Sequence, residues 1–236
     1  MIKQAMVLSA GFGKRVRPLT LKKPKSLLDL GNQTLLSNTL KFLSNHGVEK
    51  VVINVHYLAD QIIEYVSKNK FNLEIIISDE KDVILDTGGG VLNAIKNFSD
   101  NPLIIINPDT VWNRSYLKDL DLMEKLFKTE KNIQCSLLVV KKDRSFDQSF
   151  KGDFSLNMNK ISRKPNNLSY VYTGLQLVKP KLFLNFETKI FSMNQVWDHL
   201  IKSNSLYGIE SNIEFLHVSD FNIYKKITKK LNSQNI

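Results

Sequence analysis

Short apolar runs alternate with stretches of helical spacing through the first half of the chain. The apolar runs lie at residues 4–8, 51–55, 73–78, 103–106 and 134–141, and each has the length of a buried strand. The stretches at 34–45, 58–68, 88–97 and 117–128 have the character of amphipathic helices. This alternation predicts β-α-β units and a mostly parallel sheet.

The pattern changes after about residue 143. Short strands and turns at 152–156 and 168–178 precede helical stretches at 191–203 and 220–231, with no internal repeat or linker. The chain is therefore predicted to form one domain, residues 1–230, with a tail at 231–236 that frays. Its predicted fold class is α/β: a single-domain, Rossmann-like, doubly wound, mostly parallel sheet with antiparallel strands added in the C-terminal half.

Composition restricts the cellular setting. The chain has 236 residues and one cysteine, Cys135, so an internal disulfide is excluded and a reducing compartment is favoured. Its apolar runs are far shorter than the roughly 20 residues that span a bilayer. The N-terminus also lacks the features of a signal peptide. We therefore expect a cytoplasmic protein with no membrane partner.

The net charge of +10 raises the question of nucleic-acid binding. Most of the excess is lysine spread thinly along the chain, and the densest cluster lies on the predicted last helix, at Lys225, Lys226, Lys229 and Lys230. A protein that binds polyphosphates would also favour a positive surface. We expect no nucleic-acid partner, although the charge alone does not decide this.

Glycine is scarce but clustered. Of the ten glycines, five fall in two groups, Gly11 with Gly13 and the run 88–90. The usual reason for such clustering is a close approach of the backbone to a ligand. The first pair follows a predicted strand, at the sheet edge where open α/β folds bind ligands. This segment is neither a dinucleotide fingerprint, because Val16 occupies its last glycine position, nor a Walker loop.

Cations accompany this glycine loop, which we define as residues 9–20. Backbone N–H groups together with Lys14, Arg15 and Arg17 would form a cradle for a triphosphate, because arginine can bind two phosphoryl oxygens at once. A plain glycine turn with solvated basic residues is the alternative. The spacing of the arginines, Pro18 and the pair at 24–25 favours the cradle.

The glycine loop and the residues after it resemble the signature of the sugar-1-phosphate nucleotidyltransferase family, roughly G-x-G-x-R-[ML]-x-P-x-T followed by P-K. The matching residues are Gly11, Gly13, Arg15, Val16, Pro18, Thr20, Pro24 and Lys25, of which Val16 is a mild departure. The resemblance implies that Arg15 holds the β- and γ-phosphates of a nucleoside triphosphate and that Lys25 steadies the reacting phosphate. The loop residues implied to bind the nucleotide are Leu8, Ala10, Gly11, Gly13 and Lys14. Residues 1–142 would form the nucleotide-binding half and residues 143–230 the sugar-binding half.

The second glycine group, in the string LDTGGGV, is similar to the base-reading segment of that family. A helix start opened by glycines would let backbone groups reach the Watson–Crick edge of a pyrimidine or guanine. The residues implied to bind the nucleotide here are Thr87, Gly88 and Gly89. A helix N-terminus capped by Thr87 is the alternative.

A polar turn, Asn107-Pro108-Asp109, follows the predicted buried strand at 103–106. A carboxylate at the end of such a strand is well situated to hold a divalent ion against phosphates, so Asp109 is predicted to be catalytic and to bind Mg²⁺. A turn or cap aspartate is the alternative. The resemblance implies a second metal ligand in residues 215–220, and our prediction is His217. Asp220 could replace it, or the ion could rely on Asp109 and phosphates.

The strings GDF, RKP and YTG fall where the family builds its sugar pocket. Lys164 would bind the sugar phosphate, and Arg163 stands where the family has glutamate, which suits an acceptor with its own carboxylate. The residues implied to bind the sugar phosphate are Asn107, Asp153, Arg163, Lys164, Thr173 and Gly174. A simple hairpin is the alternative for the GDF turn.

The resemblance implies a Mg²⁺-dependent enzyme that joins a nucleoside triphosphate to a sugar 1-phosphate and releases pyrophosphate. The predicted substrates are UTP and N-acetylmuramate 1-phosphate, and their reaction would fit peptidoglycan recycling. We expect the protein to be a monomer or a weak homodimer. A mannose- or heptose-1-phosphate guanylyltransferase is an open alternative. A phosphocholine cytidylyltransferase, which has a cationic acceptor, is a second alternative, and a catalytically inactive regulatory or nucleic-acid-binding relative is a third.

Overall fold

A nine-stranded sheet runs through the centre of the computed structural model, which describes residues 1–80, 82–163 and 168–233. The strands are β1 (Gln4–Leu8), β2 (Asp29–Leu30), β3 (Gln33–Thr34), β4 (Lys50–Val55), β5 (Glu74–Asp79), β6 (Leu103–Ile106), β7 (Cys135–Lys141), β8 (Ser155–Asn157), β9 (Lys160–Ser162), β10 (Tyr170–Val178) and β11 (Leu206–Ser211). The helices are α1 (Leu35–His46), α2 (Ala59–Lys68), α3 (Asp86–Ala94), α4 (Tyr116–Thr129), α5 (Met193–Lys202) and α6 (Phe221–Ser233).

The strand order of the main sheet is β5-β4-β1-β6-β10-β7-β11-β9-β8, and β2 and β3 form a separate hairpin. Strands β1, β4, β5 and β6 are parallel neighbours, and so are β7 and β11. Only β9 and β10 run against the common direction of the described main sheet. This arrangement confirms the predicted α/β class, with a mostly parallel sheet and antiparallel strands from the C-terminal half.

Helices cover both faces of the sheet because side chains alternate along each strand. On β1, Ala5 and Val7 pack into a cluster that includes Leu36 of α1, whereas Met6 packs with Val91 of α3 on the other face. The central strands are therefore buried on both faces and almost wholly apolar. Polar side chains that could act on a ligand are left to the strand ends.

Local signals set the limits of the first helix as predicted. The hydroxyl of Thr34 accepts a hydrogen bond from the backbone N–H of Ser37 (3.1 Å), which caps the N-terminus of α1. At the other end Gly47, with φ of 90°, takes the left-handed conformation that closes a helix. The β-α-β pattern of the first half is thus encoded locally.

Other limits differ from the sequence pattern. Helix α3 begins at Asp86, two residues before the glycines. Strand β11, not predicted from the sequence, enters the sheet parallel to β7. Helix α6 continues through Ser233, so residues 231–233, expected to fray, are helical, and residues 234–236 lie outside the described residues. Within the described residues no helix has the length and apolar character needed to cross a bilayer.

Candidate active site

A cavity of about 560 Å³ opens at the carboxyl ends of the parallel strands β1, β4, β5 and β6. We call it the large cavity. It is lined by Leu8 at the end of β1 and residues 9–16 after it, by Asn54 of β4, Glu80 after β5, and Asn107, Pro108 and Asp109 after β6. Lys25, Ser26, Ile84, Asp86, Thr87 and Ser219 complete the lining. This is the edge at which open α/β sheets bind ligands.

Buried polar atoms without a partner concentrate at this edge. Among the described residues, the buried side-chain atoms that lack a hydrogen bond include Ser9 Oγ, Ser26 Oγ, Glu80 Oε2 and Asp109 Oδ1, and all four residues line the large cavity. Folded proteins rarely leave such atoms unsatisfied. A polar ligand in the cavity would supply the missing partners.

The glycine loop brings its cations to the mouth of the large cavity. Gly13 has φ of 61°, and an ideal Cβ on it would lie 2.9 Å from the Thr20 side chain, so the tight turn needs glycine here. Val16 is buried, whereas Lys14 and Arg15 are exposed and line the cavity. An ideal Cβ on Gly11 would meet no atom within 4 Å, which leaves open space beside the backbone. The loop can therefore present amides and cations to an anion.

Lys25 and Asp109 meet at the inner end of the cavity although 84 residues separate them in the chain. Lys25 Nζ lies 2.6 Å from Asp109 Oδ2, and His217 Nδ1 lies 3.5 Å from Asp109 Oδ1. Burial raises the pKa of Asp109, but Lys25 and His217 lower it by more, to about 2. Burial also lowers the pKa of His217 to about 4, so this imidazole is neutral at pH 7. The group combines an ionised carboxylate, an ammonium and a neutral imidazole.

A divalent cation would find two protein donors here. Asp109 Oδ1 has no hydrogen-bond partner among the described residues, and the neutral imidazole of His217 is the form that binds metals. Asp220 does not line the cavity, and its Oδ1 accepts a hydrogen bond from the N–H of Ile223 (2.9 Å). The described residues contain no group of three or more His, Cys, Asp or Glu side chains suited to a metal. The donors fit an ion whose remaining ligands come from phosphates.

The second glycine group packs against the protein itself. The N–H groups of Gly88 and Gly89 both donate to the carbonyl of Phe191, at 2.9 and 3.0 Å. An ideal Cβ on Gly88 would lie 2.4 Å from the Phe191 ring, and one on Gly89 would lie 2.1 Å from the carbonyl oxygen of Lys189. Thr87 lines the large cavity, but Gly88 and Gly89 are not among its lining residues. Because both amides already donate to the Phe191 carbonyl, they are not available to recognise a base.

Asn54 and Glu80 form a buried pair that sequence reasoning missed. The Asn54 side chain accepts from the N–H of Ser9 (2.8 Å) and donates to Glu80 Oε1 (2.9 Å). Burial raises the pKa of Glu80 above its ordinary value, although the bond from Asn54 opposes this shift. The sequence signal that could have revealed this pair is the presence of a polar residue at or just after the end of each of two predicted strands.

A smaller cavity of about 250 Å³ adjoins the large one and shares Arg15, Asn107 and Asp109 with it. We call it the small cavity. Its other lining residues are Phe150, Asp153, Arg163, Val171, Tyr172, Asn194, Trp197, Phe215 and His217. The Tyr172 hydroxyl is buried without a hydrogen-bond partner among the described residues. Polar groups and aromatic rings of this kind suit a sugar.

Arg163 is held on one wall of the small cavity. Its guanidinium contacts the carboxylate of Asp198 and the amide oxygen of Asn194, and it lies 4.8 Å above the centre of the Phe154 ring. The same cavity has Asp153, whose carboxylate accepts from the N–H of Tyr172 at 2.9 Å. Burial raises the pKa of Asp153. The wall therefore offers one fixed cation and one carboxylate.

Three predicted sugar-binding residues are not seen at either cavity. Thr173 is fully buried, and its hydroxyl donates to the carbonyl of Leu138 (2.9 Å). Gly174, with φ of 94°, accepts a hydrogen bond from the N–H of Asn107 (2.7 Å) and so supports the turn that carries Asp109. Lys164 lies outside the described residues. The structure thus makes Thr173 and Gly174 supports of the site rather than its lining.

Comparisons with known proteins agree with this architecture. The family model of the nucleotidyl transferases matches residues 4–200. The chain is 29% identical over 224 residues to an N-acetylmuramate alpha-1-phosphate uridylyltransferase of Caulobacter vibrioides, covering 92% of each chain. A protein of the same name from Neisseria meningitidis is 28% identical over 187 residues, 78% of each chain.

Solved structures share the fold at lower identity. The inositol-1-phosphate CTP transferase of T. maritima superposes with a TM-score of 0.81 at 20% identity, covering 98% of this chain and 96% of the other. HddC from Yersinia pseudotuberculosis superposes with a TM-score of 0.76 at 21% identity, covering 97% of this chain and 99% of the other. Because the family model spans most of the chain, this protein belongs to the nucleotidyl transferase family, as a sugar-1-phosphate nucleotidyltransferase.

Proposed function

We propose that the protein transfers a uridylyl group from UTP to N-acetylmuramate 1-phosphate and releases pyrophosphate. The observation that carries this proposal is the junction of the two cavities at Arg15, Asn107 and Asp109, next to Lys25. A triphosphate in the large cavity would point its phosphates at this junction. A sugar phosphate in the small cavity would meet them there.

The reaction needs positioning and charge neutralisation more than acid–base chemistry. An oxygen of the sugar phosphate attacks the α-phosphorus of UTP, and the bond from that phosphorus to the bridging oxygen breaks as pyrophosphate leaves. The attacking phosphate already carries negative charge near pH 7, so it needs no strong base. Arg15 and Lys25 would offset the charge that gathers on the reacting phosphates.

Mg²⁺ is the proposed cofactor, held by Asp109 with His217 as the second protein ligand. The unpartnered Asp109 Oδ1 and the neutral imidazole beside it support this assignment. Mg²⁺ is usually bound by one or two carboxylates together with substrate phosphates, which suits a site with so few protein donors. When bound, the ion would neutralise phosphate charge and align the reacting groups.

The choice of UTP rests on the buried pair of Asn54 and Glu80. Guanine presents two adjacent N–H donors that match both oxygens of a carboxylate, whereas uracil presents one N–H between two carbonyl groups. Asn54 occupies Glu80 Oε1 and Oε2 is itself buried, so Glu80 does not present a pair of free acceptors to a base. This arrangement disfavours guanine and is compatible with uracil. The names of the Caulobacter and Neisseria relatives support the same choice.

The choice of N-acetylmuramate rests on Arg163. This sugar differs from N-acetylglucosamine by a lactyl ether that carries a carboxylate. The guanidinium of Arg163, oriented by Asp198 and Asn194 on the cavity wall, is a suitable partner for that carboxylate. The product would serve peptidoglycan recycling in the cytoplasm. We propose further that the protein acts as a monomer or weak homodimer without a nucleic-acid or membrane partner.

A substrate panel tests the proposal. Pyrophosphate release is measured with each of four nucleoside triphosphates against the 1-phosphates of N-acetylmuramate, N-acetylglucosamine and mannose. We expect UTP with N-acetylmuramate 1-phosphate to give the highest kcat/KM. Turnover only of GTP with mannose 1-phosphate would instead establish a guanylyltransferase, and no release with any pair would favour an inactive relative.

Arg163→Gln isolates the sugar assignment. Loss of a charged partner should lower kcat/KM for N-acetylmuramate 1-phosphate by at least about 30-fold. The same variant should act on N-acetylglucosamine 1-phosphate at a rate close to the wild type, because that substrate has no carboxylate to lose. Equal losses on both sugars would remove the lactyl carboxylate as the partner of Arg163.

A further inference from the structure

The C-terminal helix α6 packs directly against the glycine loop. Val16, 1% exposed, joins a hydrophobic cluster with Ile223 and Ile227 of α6 and with Leu216 and Val218 from the segment before the helix. Arg15, the neighbour of Val16 in the chain, lies outside this cluster at the junction of the cavities. Because Val16 is buried in this cluster, its position restricts the region that the side chain of Arg15 can reach.

The glycine loop also has internal restraints around Arg15, among them a bond from the Thr20 hydroxyl to the carbonyl of Gly13 (2.8 Å). Val16 N–H donates to the carbonyl of Gly13 at 2.9 Å, and Arg17 N–H donates to the carbonyl of Lys14 at 3.3 Å. Both bonds are local and would move with the loop as a unit. The contact with α6 is what ties this short 3₁₀ turn to the C-terminal end of the chain.

The same helix is connected to the turn that carries Asp109. The N–H of Val218 donates to the carbonyl of Asp109 at 2.8 Å, and the N–H of Val111 donates to Leu216 at 2.9 Å. Two residues later, Asp220 Oδ1 accepts from the N–H of Ile223 at 2.9 Å, the geometry of a helix N-cap. The segment at 216–220 thus bonds to the turn that carries Asp109 and continues into the helix that contacts the glycine loop.

We propose that α6 is a buttress for the glycine loop and that Asp220 is a positioning residue that caps the N-terminus of this helix. The helix would hold Val16, and through it Arg15, at a constant distance from Asp109. This role rests on the proposed function only in that Arg15 is taken to bind the phosphates. In this proposal the Asp220 carboxylate bonds the backbone at the start of α6 and does not bind the metal.

Two substitutions at position 220 separate these roles. Asparagine caps helices about as well as aspartate, whereas alanine does not cap. If Asp220 acts as a cap, Asp220→Asn should behave like the wild type, and Asp220→Ala should raise the KM for the triphosphate. If Asp220 were a metal ligand, both variants would lose activity and need more Mg²⁺.

Hydrogen exchange gives a readout that does not depend on activity. In Asp220→Ala, the amides of residues 16 and 17 should exchange at least about fivefold faster than in the wild type, because the buttress is weaker. Ser192→Ala, which removes the cap of α5 at another site, should leave these amides unchanged. Ile227→Val, a milder change within the contact, should give a smaller increase and covers the case in which Asp220→Ala does not fold.

The outcomes are distinct. Unchanged exchange at residues 16 and 17 in both Asp220→Ala and Ile227→Val would overturn the buttress. Loss of activity in Asp220→Asn equal to that in Asp220→Ala would overturn the capping role. A wild-type protein that releases no pyrophosphate would refute the proposed function alone, since the exchange experiment would still test the contact between α6 and the loop.

Discussion

Alanine substitutions at Gly89 and at Gly11 should have opposite consequences, because the two positions lack a side chain for different reasons. An ideal Cβ on Gly89 would lie 2.1 Å from the carbonyl oxygen of Lys189, whereas one on Gly11 would meet no atom within 4 Å. Gly89 is constrained by the packing of the protein. Gly11 borders the large cavity, where the space is left for a ligand.

The cost at Gly89 follows from that contact. The Cβ must move to at least 3.0 Å from the carbonyl, which forces the segment with Lys189 and Phe191 away from α3 and weakens the hydrogen bonds to Phe191 O. Overpacking costs about 1–3 kcal/mol, and each weakened hydrogen bond costs about 1 kcal/mol more. The higher helix propensity of alanine offsets about 1 kcal/mol. With two such bonds, we expect the free energy of unfolding to fall by about 2–4 kcal/mol.

Gly11→Ala should leave that free energy unchanged or raise it by less than about 1 kcal/mol, because alanine restricts the unfolded chain. Its methyl group would occupy space beside the loop backbone, so the KM for the triphosphate should rise by at least about tenfold. Urea unfolding followed by tryptophan fluorescence, together with pyrophosphate release, measures both effects.

Either of two results would refute this reasoning. Wild-type stability in Gly89→Ala would show that the glycine is not required by its contact with Lys189. An unchanged KM in a stable Gly11→Ala protein would show that the triphosphate does not approach the loop backbone at that point.

Three further predictions address charged groups. Arg15→Ala and Lys25→Ala should each lower kcat/KM at least about 100-fold with the circular dichroism spectrum preserved, and a near-wild-type rate would remove that residue from the phosphate site. Asp109→Asn should abolish pyrophosphate release without recovery at moderate Mg²⁺, whereas normal activity would mean that the metal is held elsewhere. Burial raises the pKa of Glu124, but bonds from a backbone N–H and from His46 lower it by more. Glu124→Gln should therefore reduce stability at pH 7 by about 1–3 kcal/mol. The difference from wild type should hold above the ordinary pKa of 4.5 and shrink as pH falls through the lowered value; a difference unchanged at low pH would contradict this.

The glycine loop shows how much of the site was open to sequence reasoning. Gly13 needs its left-handed backbone for a turn between residues that are close in the chain, and that requirement is visible in the local string. The ends of the apolar runs likewise predicted that Asp109 would reach the sheet edge with the loop. Lys25 and Asp109 do meet there, at 2.6 Å.

The run at 88–90 shows where such reasoning stops. A rare residue in a cluster indicates a close approach, but the sequence does not say whether a ligand or another part of the chain approaches. For Gly88 and Gly89 the partners are Phe191 and Lys189, about a hundred residues away in the chain. The pairing of Asn54 with Glu80 depends in the same way on the register of β4 against β5.

The sequence by itself determined the parallel half of the sheet, the limits of α1, the glycine loop and the strand-end position of Asp109. These features depend on hydrophobic period, turn chemistry and capping, which act between residues near one another in the chain. Tertiary structure alone decided that β11 joins the sheet, that Gly174 supports the turn with Asp109, and that α6 packs on Val16. Those outcomes depend on packing between segments that are distant in the chain. A small or hydrogen-bonding residue is equally suited to contact a ligand or another segment of the protein, and only the folded structure determines which of the two lies beside it.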